Sequence, residues 1–426
     1  MLKKSAILVM SLTIVLGLAI LSATAAEIDF GGKTITIVCH WQYLDPESEQ
    51  AQDLMAKYNI GKINMLTVPW EEIYNTCLSR LLAGDSTYDI WYLGHTFPLP
   101  LLKEEALYPV SDILGMEYYE SLPPVKRRIA DDMTLKRDKR YYMAAGNDAE
   151  FGNFVYVYWN KDLFKRQGLA SPYELYKAGD WTYSAMEDLA KKATIDEDND
   201  GTIDQWGIAR IHHKDWMLTN GGEYVYWEDG KLKLGMGDDV VEALDTLSRW
   251  KNVDKILKSA NYYEDEAMMT LFFEGKAAMT VASPWEIWPD AMEDAYSMVP
   301  LPKGPDAEEY CFYQMTNNGY YLPINSAEPE KMVEFIKALS PIEEYDYYLQ
   351  NSIQQHVLDE ESAEVIMTSL EKFNANSNYE AIFATDEFWV ALDDIVAGTK
   401  TAATALNEIK PIIQANIDEY NKYLER

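Results

Sequence analysis

From residue 34 onward, short runs of β-branched and aromatic residues alternate with stretches of helical periodicity, and this alternation restricts the fold more than any other feature. Thr34 to Val38 reads as a strand and is followed by a helix with Ala51, Leu54, Met55 and Tyr58 on one face. Ile63 to Val68 is the next strand, Ile73 to Leu82 the next helix, and Asp89 to Leu93 the third strand. Strand–helix–strand–helix–strand order implies a largely parallel sheet with right-handed crossovers, and so an α/β fold. The pattern restarts at Phe154-Val155-Tyr156-Val157-Tyr158, passes through a helix carrying Met186, Leu189, Ala190 and Ala193, and returns to a strand at Ala277 to Val281. A second sheet is therefore expected. Gly319 to Leu322, followed by the helix of Met332, Phe335, Ile336 and Leu339, repeats the unit. The last helix is amphipathic through Leu406, Ile409, Ile413, Ile417 and Tyr420. About 400 residues exceed what one core usually organises, so two lobes are expected. With no short-period repeat and no low-complexity linker, chain crossovers fit better than a flexible tether.

The N-terminus carries Lys3 and Lys4, an apolar stretch from Ala6 to about Leu21, and then Ser22-Ala23-Thr24-Ala25-Ala26. Small residues follow the apolar run at once, which reads as a secretory signal peptide over 1–26, cleaved after Ala25 or Ala26, rather than as a membrane span. The mature chain is expected to work outside the cytoplasm, in the periplasm or at the cell exterior. Its first cysteine is Cys39, well past the cleavage point, so a lipid anchor is not expected. Three cysteines, Cys39, Cys77 and Cys311, allow at most one disulfide, and buried thiols are the expectation. With 70 acidic against 37 basic residues the formal charge is −33, spread along the chain. Such a surface repels nucleic acid and anionic lipid and admits neutral or cationic ligands. The 30 tyrosines and 12 tryptophans offer faces that can stack on the C–H faces of sugar rings.

A set of short motifs runs through the mature chain: Tyr88-Asp89-Ile90, Tyr158-Trp159-Asn160-Lys161-Asp162-Leu163-Phe164 with Gly168-Leu169, and Trp181-Thr182 opening a helix. Phe273-Glu274-Gly275-Lys276-Ala277-Ala278-Met279, Ser283-Pro284-Trp285, Pro300-Leu301-Pro302-Lys303-Gly304-Pro305 and Phe388-Trp389 follow. In this order and spacing the chain resembles the extracellular solute-binding proteins of ABC-type sugar importers, the family that includes the maltodextrin-binding proteins. The resemblance implies two doubly wound α/β lobes of periplasmic-binding-protein type II, a hinge, and a ligand cleft that closes between the lobes. It divides the chain into a first lobe of 27–145 plus 303–345 and a second of 150–300 plus 346–426. It further implies an oligosaccharide ligand, the membrane subunits of an ABC permease as partners, and a monomer.

In open α/β sheets, ligands sit beyond the carboxyl ends of strands. The first strand then selects His40-Trp41-Gln42-Tyr43 and the third Gly94-His95-Thr96, of which Trp41, Tyr43, His95 and Thr96 are the ligand candidates. Trp285 directly follows a strand and a proline, and Trp288 lies three residues on. By resemblance, Trp285 and Trp389 are platforms for sugar rings. Asn147, Asp148 and Glu150 precede the strand that opens the second lobe, and Asn317-Asn318 precede the strand of Tyr320; amides and carboxylates suit a polyol, although turn chemistry places the same residue types there.

The rival function is a secreted glycan-active enzyme such as a glycoside hydrolase, which needs two carboxylates about 5 to 9.5 Å apart. Acidic doublets such as Glu71-Glu72 do not single out such a pair. There is no Gly-x-Ser-x-Gly elbow, zinc-binding His-Glu-x-x-His helix or phosphate-cradling loop, so no catalytic residue and no redox or nucleotide cofactor is expected. One motif points to a metal. Asp196, Asp198, Asp200, Thr202 (through its carbonyl) and Asp204 occupy positions one, three, five, seven and nine of an EF-hand-like loop, with Gly201 at the turn. Gly207 stands where the bidentate Glu is usual. A structural Ca2+ is the expectation, against an ordinary Asn/Asp/Gly surface turn.

Overall fold

The structure, a computed structural model, describes residues 28–134, 138–147, 150–261, 265–287 and 290–425. The export segment 1–26 read from the sequence, Asp148, Trp288 and the side chain of Glu150 lie outside the described part. In the first sheet, Thr34–Cys39 is central, parallel to Lys62–Thr67 on one side and to Ile90–Gly94 on the other, and Asn318–Tyr321 closes the edge antiparallel to Ile90–Gly94. The helices Glu49–Tyr58, Ile73–Leu82 and Pro329–Leu339 turn apolar faces to the core. The first is closed by local chemistry: Ser48 accepts from the Ala51 N–H at 3.3 Å, and Asn59 takes the left-handed conformation after its last turn.

The second sheet runs Tyr296–Val299, Tyr156–Asn160, Ala277–Ala282, Trp206–Arg210, Leu257–Ser259. Trp206–Arg210 is parallel to both neighbours, whereas Tyr156–Asn160 is antiparallel to both of its own. This sheet is thus mixed, not largely parallel. Three of its strands, Trp206–Arg210, Leu257–Ser259 and Tyr296–Val299, were not apparent from periodicity: all are short, and the first and last are buried on nearly every side chain. Trp181, fully buried, donates its indole N–H to the Pro300 carbonyl at 2.8 Å, which ties the start of the helix Tyr183–Ala193 to the exit of the last strand. All three cysteines are buried and unbridged.

The strand expected at 154–158 starts two residues later because Phe154 and Val155 pair with a different partner. The Val155 N–H donates to the Tyr313 carbonyl at 3.0 Å, and the Met315 N–H donates to the Asn153 carbonyl at 2.9 Å. Tyr313–Gln314 in turn pairs in parallel with Ala375–Asn376. Three crossing segments therefore lie side by side in one hydrogen-bonded ribbon between the two sheets. The result is a two-lobed α/β fold whose lobes are joined by this ribbon.

Candidate functional site

A cavity of about 1050 Å³ opens between the lobes, at the carboxyl ends of the parallel strands. His40 and Trp41 enter it from the end of Thr34–Cys39, His95 and Thr96 from the end of Ile90–Gly94, and Asn318 from the adjoining antiparallel strand, where it lies in register with Gly94. From the other side come Lys214, which follows Trp206–Arg210, Trp285, which follows Ala277–Ala282, and Glu380 and Trp389 from helices beyond the last crossover. Gly94 has a steric reason: a Cβ there would stand 2.3 Å from the Trp70 ring, which lies over the strand end and forms part of the cavity wall.

Of the ligand candidates, Trp41, His95, Thr96, Asn318, Trp285 and Trp389 are brought together on these walls. Trp41 and Trp285 remain 37% and 50% exposed, a large apolar area to leave in water without a ligand. Tyr43 stands behind the wall instead, its ring against Tyr92 (4.4 Å) and Tyr320 (6.2 Å), and burial pushes its phenol well above the ordinary range. Asn147 is engaged with Ser340, whose Oγ accepts from its N–H at 3.2 Å, and so braces the crossover. Asn317 is buried and donates to Asn378, which donates to Asp132 at 2.8 Å, a chain that joins the lobes beside the ribbon. His40, Trp70, Glu71, Lys214, His356 and Glu380 also line the cavity. Trp70 and Lys214 follow strands and could have been found by the strand-end rule; His356 and Glu380 come from helices that only tertiary packing brings here.

The charged groups on the floor are paired with one another. Lys214, 3% exposed, donates to Glu380 Oε2 at 2.6 Å and to Ser377 Oγ at 3.4 Å, and His95 Nε2 lies 3.2 Å from the same oxygen. Burial works against the Glu380 charge, but Lys214 and His95 outweigh it and hold the carboxyl at about 2. His40 is pushed down to about 4, chiefly by burial and secondarily by the neighbouring His95, so its imidazole is neutral at pH 7. Within the described protein, His40 Nδ1, Thr96 Oγ1 and Asn318 Oδ1 are buried and have no hydrogen-bond partner. Leaving a buried polar group unpaired costs about 1–3 kcal/mol, and these three atoms lie just beneath the cavity wall that their residues line. Indoles and uncharged polar side chains on the same walls suit a neutral polyhydroxylated ligand.

The acidic loop lies away from the cleft, in the turn that joins the helix Tyr183–Ala193 to the strand Trp206–Arg210. Carboxylate oxygens of Asp196, Asp198 and Asp204 fall within 4.8 Å of one another. Asn199 and Gly201 take the left-handed backbone that lets the loop fold back. Asp200 accepts from the Thr202 N–H at 2.6 Å, as Asp196, Asp198 and Asp204 accept from other N–H groups of the loop.

The sequence profile of the bacterial extracellular solute-binding proteins matches residues 44–340. The maltodextrin-binding protein MdxE of Bacillus subtilis is 23% identical over 287 residues, a match that spans 63% of this chain and 66% of that protein's length, just under two thirds. Among solved structures, an ABC substrate-binding protein of Listeria monocytogenes in complex with cycloalternan superposes with a TM-score of 0.66 at 18% identity, covering 92% of this chain and 99% of that one. The maltose/maltodextrin-binding domain MalE of Bdellovibrio bacteriovorus bound to maltotriose gives 0.62 at 17% identity, covering 91% and 99%. The fold is that of the periplasmic-binding proteins, and no helix among the described residues is long and apolar enough to cross a membrane. The chain belongs to the bacterial extracellular solute-binding proteins, binding proteins and not enzymes that work outside the cytoplasm.

Proposed function

We propose that the protein captures a carbohydrate, an oligosaccharide, in the interlobe cleft and delivers it chemically unchanged to the membrane subunits of an ABC importer. The observation that carries this reading is one cavity lined by Trp41 and Trp70 from one lobe and by Trp285 and Trp389 from the other, with the polar residues His40, Thr96 and Asn318 on the first lobe's wall. Sugars present apolar C–H faces to such rings and hydroxyls to such edges. The sugar ligands named for the Listeria and Bdellovibrio neighbours support the same class. The protein acts as a monomer, after removal of the segment 1–26. A structural Ca2+ fits the donor set of Asp196, Asp198 and Asp204, three hard oxygen ligands that repel one another without a cation. A thermal-shift screen over mono- and oligosaccharides tests the main reading: the ligand should raise the melting temperature and be recovered intact by mass spectrometry. Cleavage of the sugar, or no stabilisation by any of them, refutes it.

A further inference from the structure

We propose that Glu286 and Arg210 are positioning residues for the ligand, acting through the Trp285 indole that stands between the strand end and the cleft; the inference rests on the carbohydrate reading of that cleft. The tryptophans of the cleft are held in different ways. Trp41 packs edge-on to Tyr92 at 5.4 Å and against His40 at 3.9 Å. Trp389 packs edge-on to Phe388 at 5.3 Å and lies 5.9 Å from the Lys214 ammonium. Trp285, half exposed, has no aromatic or cationic neighbour of this kind among the described residues. Among the described residues, the backbone turn that carries it is what the hydrogen bonds hold.

That turn is held by buried charge. The Ser283 N–H and the Ser283 hydroxyl both donate to Glu286 Oε2 at 2.8 Å, so the side chain following Trp285 grips the residue two positions before it. Glu286 Oε1 accepts from Arg210 Nη2 at 2.6 Å, and Arg210 also donates from Nε and Nη2 to the Val281 carbonyl at 3.3 and 3.1 Å. Arg210 ends the strand next to Ala277–Ala282, with Ile208 in register with Met279, so the guanidinium reaches the neighbouring strand just where it gives way to the turn. Downstream, the buried Ile287 donates its N–H to the Pro284 carbonyl at 3.3 Å. The turn is clamped before, beneath and after the indole. The side chains of Arg210 and Glu286 are 0% and 8% exposed. A buried ion pair adds little net stability over apolar packing, so its distinctive product here is orientation: fixed hydrogen bonds aimed at one short turn. Stacking on a sugar face requires the ring to be held within about 10–20° of its productive plane, which a free turn does not supply.

The test labels the full-length protein with 5-fluorotryptophan and assigns the Trp285 fluorine resonance by its loss in Trp285→Phe. Glu286→Gln removes the charge that gathers the turn, and Ser283→Ala removes one of its hydrogen bonds without stranding Arg210. The Trp285 resonance should shift and broaden in both, more in Glu286→Gln. With a maltodextrin ladder as the probe, Glu286→Gln should weaken binding about tenfold, and less than about twofold further when made in a Trp285→Ala background, because a residue that acts through the indole has nothing to act on once it is gone. If Glu286→Gln does not fold, Ser283→Ala carries the same comparison. A Trp285 resonance unchanged in the folded variants, or equal weakening in both backgrounds, overturns the inference. Trp285→Ala that binds like the parent overturns the platform reading instead, and the fluorine spectra still decide whether Glu286 sets the ring.

Discussion

His95 Nε2, at the end of a strand of the first sheet, lies 3.2 Å from Glu380 Oε2, which stands beyond the last crossover and is itself held by Lys214 at 2.6 Å. One carboxylate is thus shared by an imidazole from one side of the cleft and an ammonium from the other. The contact ties Lys214, His95 and Glu380 to one another on the cavity wall.

Removing Glu380 should be felt in folding. Glu380→Ala leaves Lys214 buried without this carboxylate, and deleting one partner of a buried pair costs about 3–5 kcal/mol. The folded carboxyl is held at about 2, below its ordinary 4.5, so its contribution is present in full above the ordinary value and is lost as pH falls toward 2. Differential scanning calorimetry should therefore show the parent losing melting temperature more steeply than Glu380→Gln between those limits. Parallel acid limbs would remove Glu380 from the account of stability.

Trp285→Ala and Trp389→Ala should each weaken oligosaccharide binding by about 1–3 kcal/mol in calorimetric titration. Trp285 is half exposed, so its loss should barely change the melting temperature, whereas Trp389 packs on Phe388 and should cost some stability as well. Unchanged binding with a large drop in melting temperature would make them packing residues only.

The ribbon of 153–155, 313–315 and 375–376 joins the lobes, and rotation about it is the expected route to closure. Adding an oligosaccharide should reduce the radius of gyration in solution scattering as the cleft closes. Tight binding with an unchanged scattering profile would argue for a site that is already closed.

Chelation tests the acidic loop. EDTA should lower the melting temperature by a few degrees and Ca2+ should restore it better than Mg2+, since a loop offering several carboxylate oxygens suits the ion with the larger and less strict coordination shell. Asp198→Ala should abolish the effect. Indifference of the parent to both treatments would leave an ordinary surface turn.

The cores of both lobes were legible in the amino-acid order because they rest on local rules. The 3.6-residue spacing of Ala51, Leu54 and Tyr58 marks a buried helix face wherever the helix lies, and the run Thr34 to Val38 marks a buried strand. The strand-end rule reached His40, Trp41, His95 and Thr96 by the same logic, since a parallel strand delivers the residues after it to one edge of its sheet. It did not reach Glu380 or His356, which sit on helices and arrive at the cleft only through the packing of distant segments. Nor could it separate Asn318 from Asn317: neighbours along an extended chain point to opposite sides, and only the pairing of Asn318 with Gly94 decides which amide faces the cavity and which meets Asn378. The residue types and their periodicity determined what each segment would become and that aromatic rings would be available. Which rings face a ligand, and which charges neutralise one another beneath it, was decided by contacts such as His95 with Glu380, 285 residues apart in the chain, whose partners no local pattern specifies.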